Sequence, residues 1–230
     1  MAIKPILFNT EMVRAILDGR KTCTRRLVSS RQFLGMLPDK CKNAVPDEFL
    51  KGKRMMFKPY CDMTDAELIM TAYKAPYQPG DILYVRETWS MLPVNEAGHI
   101  RGHSVYYYKA DGDLRPEGWR CKWKSSTHMP KEAARIWLKV TDVRVERLKD
   151  MTNNDALKEG AEGVRCDHAG LGAYGCTDCM NTGWLEPPLL EFMDIWNSTI
   201  KKSDLDRYGW DANPWVWVIE FERCEKPEGV

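Results

Sequence analysis

Leu17-Asp18-Gly19-Arg20-Lys21-Thr22-Cys23-Thr24-Arg25-Arg26 joins a short amphipathic segment to a run of cations and hydroxyls. Upstream, Met12, Val13, Ile16 and Leu17 follow helical spacing, and Asn9 or Thr10 can cap that helix. Gly19 can take the left-handed conformation that ends a helix, which places Lys21 and Thr24 just past a helix end. From Thr22 to Val28 the residues are rich in β-branched side chains and alternate in character, so an extended segment is expected. An ammonium near a hydroxyl, with Arg20, Arg25 and Arg26 beside them, suits a polyanion or a polarised carbonyl. The same cations also suit a helix C-terminal dipole or a solvated charged face.

The totals bound what this cluster can serve. A chain of 230 residues with 43% apolar content, nine tryptophans and nine tyrosines can bury a real core. The 34 Lys and Arg are balanced to a net charge of only +1, which excludes a globally basic nucleic-acid coat. Anion binding must then come from local arrangement. No apolar run approaches the roughly twenty residues that span a bilayer, and Met1 to Phe8 turns polar too early for a signal peptide. A cytoplasmic protein without a membrane partner is expected. The eight cysteines fit reduced thiols and a metal site better than a disulfide framework.

Ile3 to Phe8 reads as an edge strand interrupted by Pro5. A short helix is expected from Thr64 through Met70, a strand over Ile82 to Glu87, loop from Ser90 to Gly102 and a strand over Ser104 to Tyr108. Ala134 to Leu148 is the longest β run; Thr152 to Asp155 offer caps for a helix through Ala161. Pro187-Pro188 opens a further helix, and Pro214 to Phe221 closes the chain as a strand. This β-rich order with a few helices predicts an α+β fold built on a small β-barrel.

Four blocks resemble the ASCH family, a branch of the PUA-like β-barrels. They are Gly19 to Arg25, then Pro79-Gly80-Asp81-Ile82-Leu83-Tyr84-Val85, then Asp155-Ala156-Leu157-Lys158-Glu159-Gly160, and Trp217-Val218-Ile219-Glu220-Phe221. Arg86-Glu87-Thr88-Trp89 adds a likeness to the phage and prophage members. The resemblance implies a single domain over 1–230, with insertions at about 29–75, 90–130 and 163–185. Small ASCH members include amidohydrolases that remove the acetyl group of N4-acetylcytidine; the alternatives the resemblance leaves open are a non-catalytic nucleic-acid-binding or phage interaction module, or a ribonuclease. Carried over, the catalytic lysine, threonine and glutamate fall on Lys21, Thr24 and Glu159. Threonine needs an adjacent base to become a nucleophile, a lysine can serve if its pKa is lowered, and a carboxylate can position it or move a proton. Arg20, Arg25, Arg26, Glu87 and Trp89 are the candidates for binding RNA, single-stranded nucleic acid or a nucleoside. Glu87 is equally a strand-end carboxylate paired with Arg86.

Cys166-Asp167-His168 and Cys176-Thr177-Asp178-Cys179 flank a glycine-rich loop. Cys166, His168, Cys176 and Cys179 form a candidate structural zinc set, the alternative being reduced or redox-active thiols. Trp119 and Trp123 interleave with Arg120, Lys122 and Lys124, a pattern that suits stacking on single-stranded nucleic acid or a tryptophan-anchored loop.

Overall fold

The computed structural model describes residues 1–28, 67, 70, 73–92, 105–115, 122–167, 176–180 and 182–229. In chain order its principal elements are β1 (Ile3–Leu7), α1 (Thr10–Leu17), β2 (Cys23–Leu27), β3 (Ile82–Arg86), β4 (Trp89–Leu92) and β5 (Val105–Tyr108). Then come β6 (Trp137–Arg147), α2 (Asn153–Lys158), β7 (Val164–Arg165), β8 (Trp184–Glu186), α3 (Pro188–Thr199), α4 (Leu205–Tyr208) and β9 (Trp215–Cys224). The class is α+β. Of the helix expected over 64–70, Glu67 and Met70 are helical, and the rest lies outside the described residues.

Residues 1–20, 79–141 and 221–230 form one compact unit. Pro5 lacks an N–H, which suits β1 to an edge, and β1 runs parallel to β3 from the pair Ile3 and Ile82 to the pair Leu7 and Arg86. The Asn9 Oδ1 caps α1 by accepting from the Met12 N–H at 2.8 Å. Val13, Ala15 and Ile16 are its buried residues. At the other end Gly19 has φ +76°; its N–H donates to Ile16 O and the Arg20 N–H to Ala15 O. That pair of bonds is a Schellman ending, and it stops the helix at the position the sequence indicates. Ile82, Trp89, Met129, Ala133, Ala134 and Trp137 make the core of this unit. The loop expected over Ser90 to Gly102 is corrected at its start. Trp89 to Leu92 pair with Tyr108 to Val105 as an antiparallel hairpin, because cross-strand partners impose extension that local composition does not announce.

Residues 21–78 and 142–220 form the second unit. Here β2 lies antiparallel to β9, with Cys23 opposite Glu220, Arg25 opposite Val218 and Leu27 opposite Val216. Leu148, Met151, Ala156, Phe192, Trp196, Trp210, Val216 and Val218 form one apolar cluster beneath α2 and α3. The long strands β6 and β9 each contribute residues to both units. The strand order β1-β3-β6-β9-β2 is open. The expectation of a closed small barrel is therefore not met among the described residues: β1 and β2 end the order without pairing with each other. No helix among the described residues is long and apolar enough to cross a membrane.

A capping box fixes α2. Thr152 Oγ1 accepts from the Asp155 N–H at 3.2 Å while Asp155 Oδ2 accepts from the Thr152 N–H at 3.0 Å. Burial raises the Asp155 pKa, but the hydrogen bonds from Thr152 outweigh it and hold the carboxyl below its ordinary 3.8. A lowered carboxyl pKa adds stability above the ordinary value, lost as pH falls through the folded one. Thr152→Ala is expected to cost about 1 kcal/mol near neutral pH, with a smaller difference from wild type at the acid end. Paired urea melts at pH 7 and pH 3.5 check this.

Candidate functional site

The second unit brings Lys21 and Glu159 together across 138 positions of sequence. The Thr22 N–H donates to the Lys158 carbonyl at 2.8 Å, tying the segment before β2 to the end of α2, where Glu159 is the C-cap. The Lys21 Nζ donates to Glu159 Oε2 at 2.6 Å and to the Glu159 carbonyl at 2.7 Å. On the other carboxylate oxygen, Arg25 Nη1 donates to Oε1 at 3.3 Å. All three residues are buried, at 2%, 7% and 4% exposure for Lys21, Glu159 and Arg25. Charges this deep persist only when paired and hydrogen-bonded, and Glu159 is clamped by a cation on each oxygen.

The pairing continues outward. Arg25 Nη2 reaches Glu146 Oε2 at 3.4 Å, Arg144 Nε donates to Glu146 Oε1 at 2.5 Å, and Arg144 Nη1 donates to Glu220 Oε1 at 2.7 Å and Asp142 Oδ2 at 3.0 Å. Burial alone lowers the Arg144 pKa; the hydrogen bonds from Glu146, Glu220 and Asp142 overcome it and hold the guanidinium above its ordinary value. Charges therefore alternate from the interior to the surface. One donor stands apart: Arg25 Nε is buried with no hydrogen-bond partner among the described residues.

Cys23 lies beside this centre, its Sγ 3.8 Å from Arg25 Nη1. Burial, with a contribution from the Glu159 charge, pushes its thiol up to about 12 against the opposing pull of Lys21 and Arg25. It is held as a neutral thiol. Side chains alternate along a strand, so Cys23 and Arg25 share one face of β2 and Thr24 and Arg26 take the other. Thr24 is 1% exposed and sits opposite Ile219. Among the described residues its hydroxyl makes no hydrogen bond to Lys21 or Glu159. Burial lowers the Arg26 pKa, while Tyr77 and Glu159 oppose it.

The remaining candidates lie in the first unit. Arg20 is exposed and pairs with Asp18 at 3.1 Å. Glu87 is buried and paired, but with Arg135 rather than Arg86: Nε and Nη2 donate to its two oxygens at 2.9 and 3.1 Å. Arg86 instead donates to the Met129 carbonyl at 2.7 Å. Desolvation raises the Glu87 pKa in spite of Arg135. Arg135 also binds Asp111 at 2.7 Å and lies 4.0 Å over the Tyr108 ring. Trp89 is 4% exposed, 5.8 Å from Tyr106 and under the Lys124 ammonium at 4.8 Å. Glu87 and Trp89 thus brace the interior. Sequence spacing did not point to Arg135, Glu146 or Arg144, since nothing local marks a partner brought in by another strand.

A second chemical cluster closes the β7–β8 hairpin. Sγ atoms of Cys166, Cys176 and Cys179 all lie within 4.8 Å of one another, with Cys166 and Cys176 at 3.6 Å. Backbone bonds frame it: the Cys166 N–H donates to Gly183 O at 3.1 Å and the Thr182 N–H to Cys179 O at 2.9 Å. Three thiols at this spacing can hold a metal ion. His168 lies outside the described residues.

Comparison with known protein families, with curated proteins and with solved structures finds no match to this chain.

Proposed function

We propose that the Lys21–Glu159–Arg25 centre recognises a modified pyrimidine nucleoside, free or in RNA, and hydrolyses an acyl amide on its exocyclic nitrogen, in the manner of the ASCH proteins its motifs resemble. The observation that carries this reading is a buried lysine–carboxylate–arginine cluster in which one donor, Arg25 Nε, has no hydrogen-bond partner among the described residues. Unsatisfied buried donors are rare in proteins, and a carbonyl oxygen is the acceptor such an N–H fits. As the amide carbonyl carbon is attacked, charge develops on that oxygen, where a fixed guanidinium stabilises it. The Thr24 hydroxyl, seated on the other face of β2, has to turn toward that carbonyl; it then attacks, the C–N bond breaks, and the Lys21–Glu159 pair carries the hydroxyl proton to the departing amine. Water then splits the threonine ester and releases the carboxylate. Cys166, Cys176 and Cys179 would hold a structural zinc ion, for which the sequence offers His168 as fourth ligand, and the protein would work in the bacterial cytoplasm.

A second reading, recognition of RNA without turnover, is favoured by the seat of Thr24 on the opposite face of β2 from Arg25. One experiment separates the two. Purified protein incubated with N4-acetylcytidine is expected to release acetate, and Thr24→Ala to slow release by about 100-fold or more, with its circular dichroism unchanged. Tight, salt-sensitive binding of RNA with no acetate released removes hydrolysis and leaves recognition. Neither turnover nor binding removes both.

A further inference from the structure

A separate cavity opens in the first unit, beside the start of α1. It is a half-open depression of about 380 Å³ lined by Thr10, Glu11, Arg14, Lys109, Asp113 and Trp123. That volume falls within the range of small-ligand sites. Its charges are mostly spoken for. Arg14 Nη1 pairs with Glu11 at 3.0 Å while its Nε donates to the Ala110 carbonyl at 2.9 Å. Asp113 takes a two-pronged grip from Arg115, both contacts at 2.6 Å. That fork holds the Arg115 guanidinium 4.2 Å over the Trp123 ring. Arg115 covers one face of the indole, so a ligand in the cavity meets the opposite face or the edge.

Lys109 differs from these. It is exposed, its backbone is fixed by the bond from its N–H to Thr88 O at 2.9 Å, and its ammonium has no ion-pair partner among the described residues. With both carboxylates neutralised by arginines, the cavity offers one surplus cation and one braced aromatic surface. An aromatic plane beside a single free ammonium selects a flat ring that carries an anion.

We propose that this cavity binds one nucleotide unit, the base stacked on Trp123 and a phosphate on Lys109. The unit comes from either a free nucleoside monophosphate or a single-stranded polymer. This site is built from residues outside the Lys21 centre and stands whether or not that centre is catalytic.

The test titrates the full-length protein with uridine monophosphate and, separately, with a fluorescently labelled eight-nucleotide oligouridylate. Trp123→Ala is expected to weaken binding by about 5- to 150-fold, the range for losing one base–aromatic stack, and Trp123→Phe to keep most of it. Lys109→Ala, at an exposed position that leaves the fold intact, is expected to flatten the slope of log affinity against log salt by about 0.7 for the polymer. Binding of the monophosphate identifies a free nucleotide as the ligand, and binding of the polymer alone identifies RNA. If neither ligand binds, or if Trp123→Ala and Lys109→Ala both bind like wild type, the proposal is overturned. Thr24→Ala binds here like wild type, so loss of acetate release leaves this site standing.

Discussion

Glu159→Ala is expected to destabilise the protein by about 3–5 kcal/mol, the characteristic effect of stranding a buried charge. The carboxylate is the hub of its network: Lys21 sits on one oxygen and Arg25 on the other, and both cations lie in the interior. Removing it leaves two buried cations, of which Arg25 keeps Glu146 while Lys21 keeps the Glu159 backbone carbonyl. Taking out both partners should do much less harm. In Lys21→Met with Glu159→Leu, apolar groups of similar size replace the pair, and such exchanges are often near neutral. Urea denaturation at pH 7 reads both. A loss below about 1 kcal/mol for Glu159→Ala would show that the pair is not buried as described. A double variant no better than the single would show that the ions are required for something besides their mutual charge.

The second large effect concerns the thiol cluster. Purified without chelators, the protein is expected to carry about one thiophilic divalent ion per chain by elemental analysis, and Cys176→Ser to lose most of it. Structural zinc contributes about 10–16 kcal/mol of apparent binding energy at neutral pH. The described part of the hairpin is short: β7 and β8 are two and three residues long, Val164 and Leu185 are exposed, and the Arg165 guanidinium lies 4.3 Å over the Trp184 ring between the strands. Stripping the ion should therefore speed amide hydrogen exchange at Cys166 and Trp184, whose N–H groups bond to Gly183 O and Thr182 Oγ1, while the cluster around Phe192 and Trp196 stays protected. Metal-free protein with unchanged exchange at both positions would refute a structural ion.

Local signals carried the sequence reading furthest. Asn9, Gly19 and Thr152 set helix ends through bonds a few residues long, Pro188 sets one through its fixed φ, and the structure places caps or starts at each. The strands Ile82–Arg86, Trp137–Arg147 and Trp215–Cys224 fall within or near the runs that composition marked, because β-branched and aromatic residues need a sheet on which to pack, whereas Trp89–Leu92 and the short β7 and β8 were not marked. What stayed hidden was pairing. Closure of the sheet depends on which distant edges meet, and a residue string with alternating character is silent about that. The link between Lys21 and Glu159 was legible only through family resemblance. The choice of Arg135 over Arg86 as partner of Glu87 was not legible at all, since it comes from residues 48 positions apart.

The Thr22–Lys158 backbone bond joins segments that leave the ribosome far apart in time. A nascent chain that has exposed only its first half owns the ammonium and the guanidinium but not the acid that neutralises them. Closing a loop of that span is entropically costly until the rest of the chain is in place. The buried ion pair consequently forms only once residue 159 has been made, and a fragment that ends before it carries both cations without their shared acid.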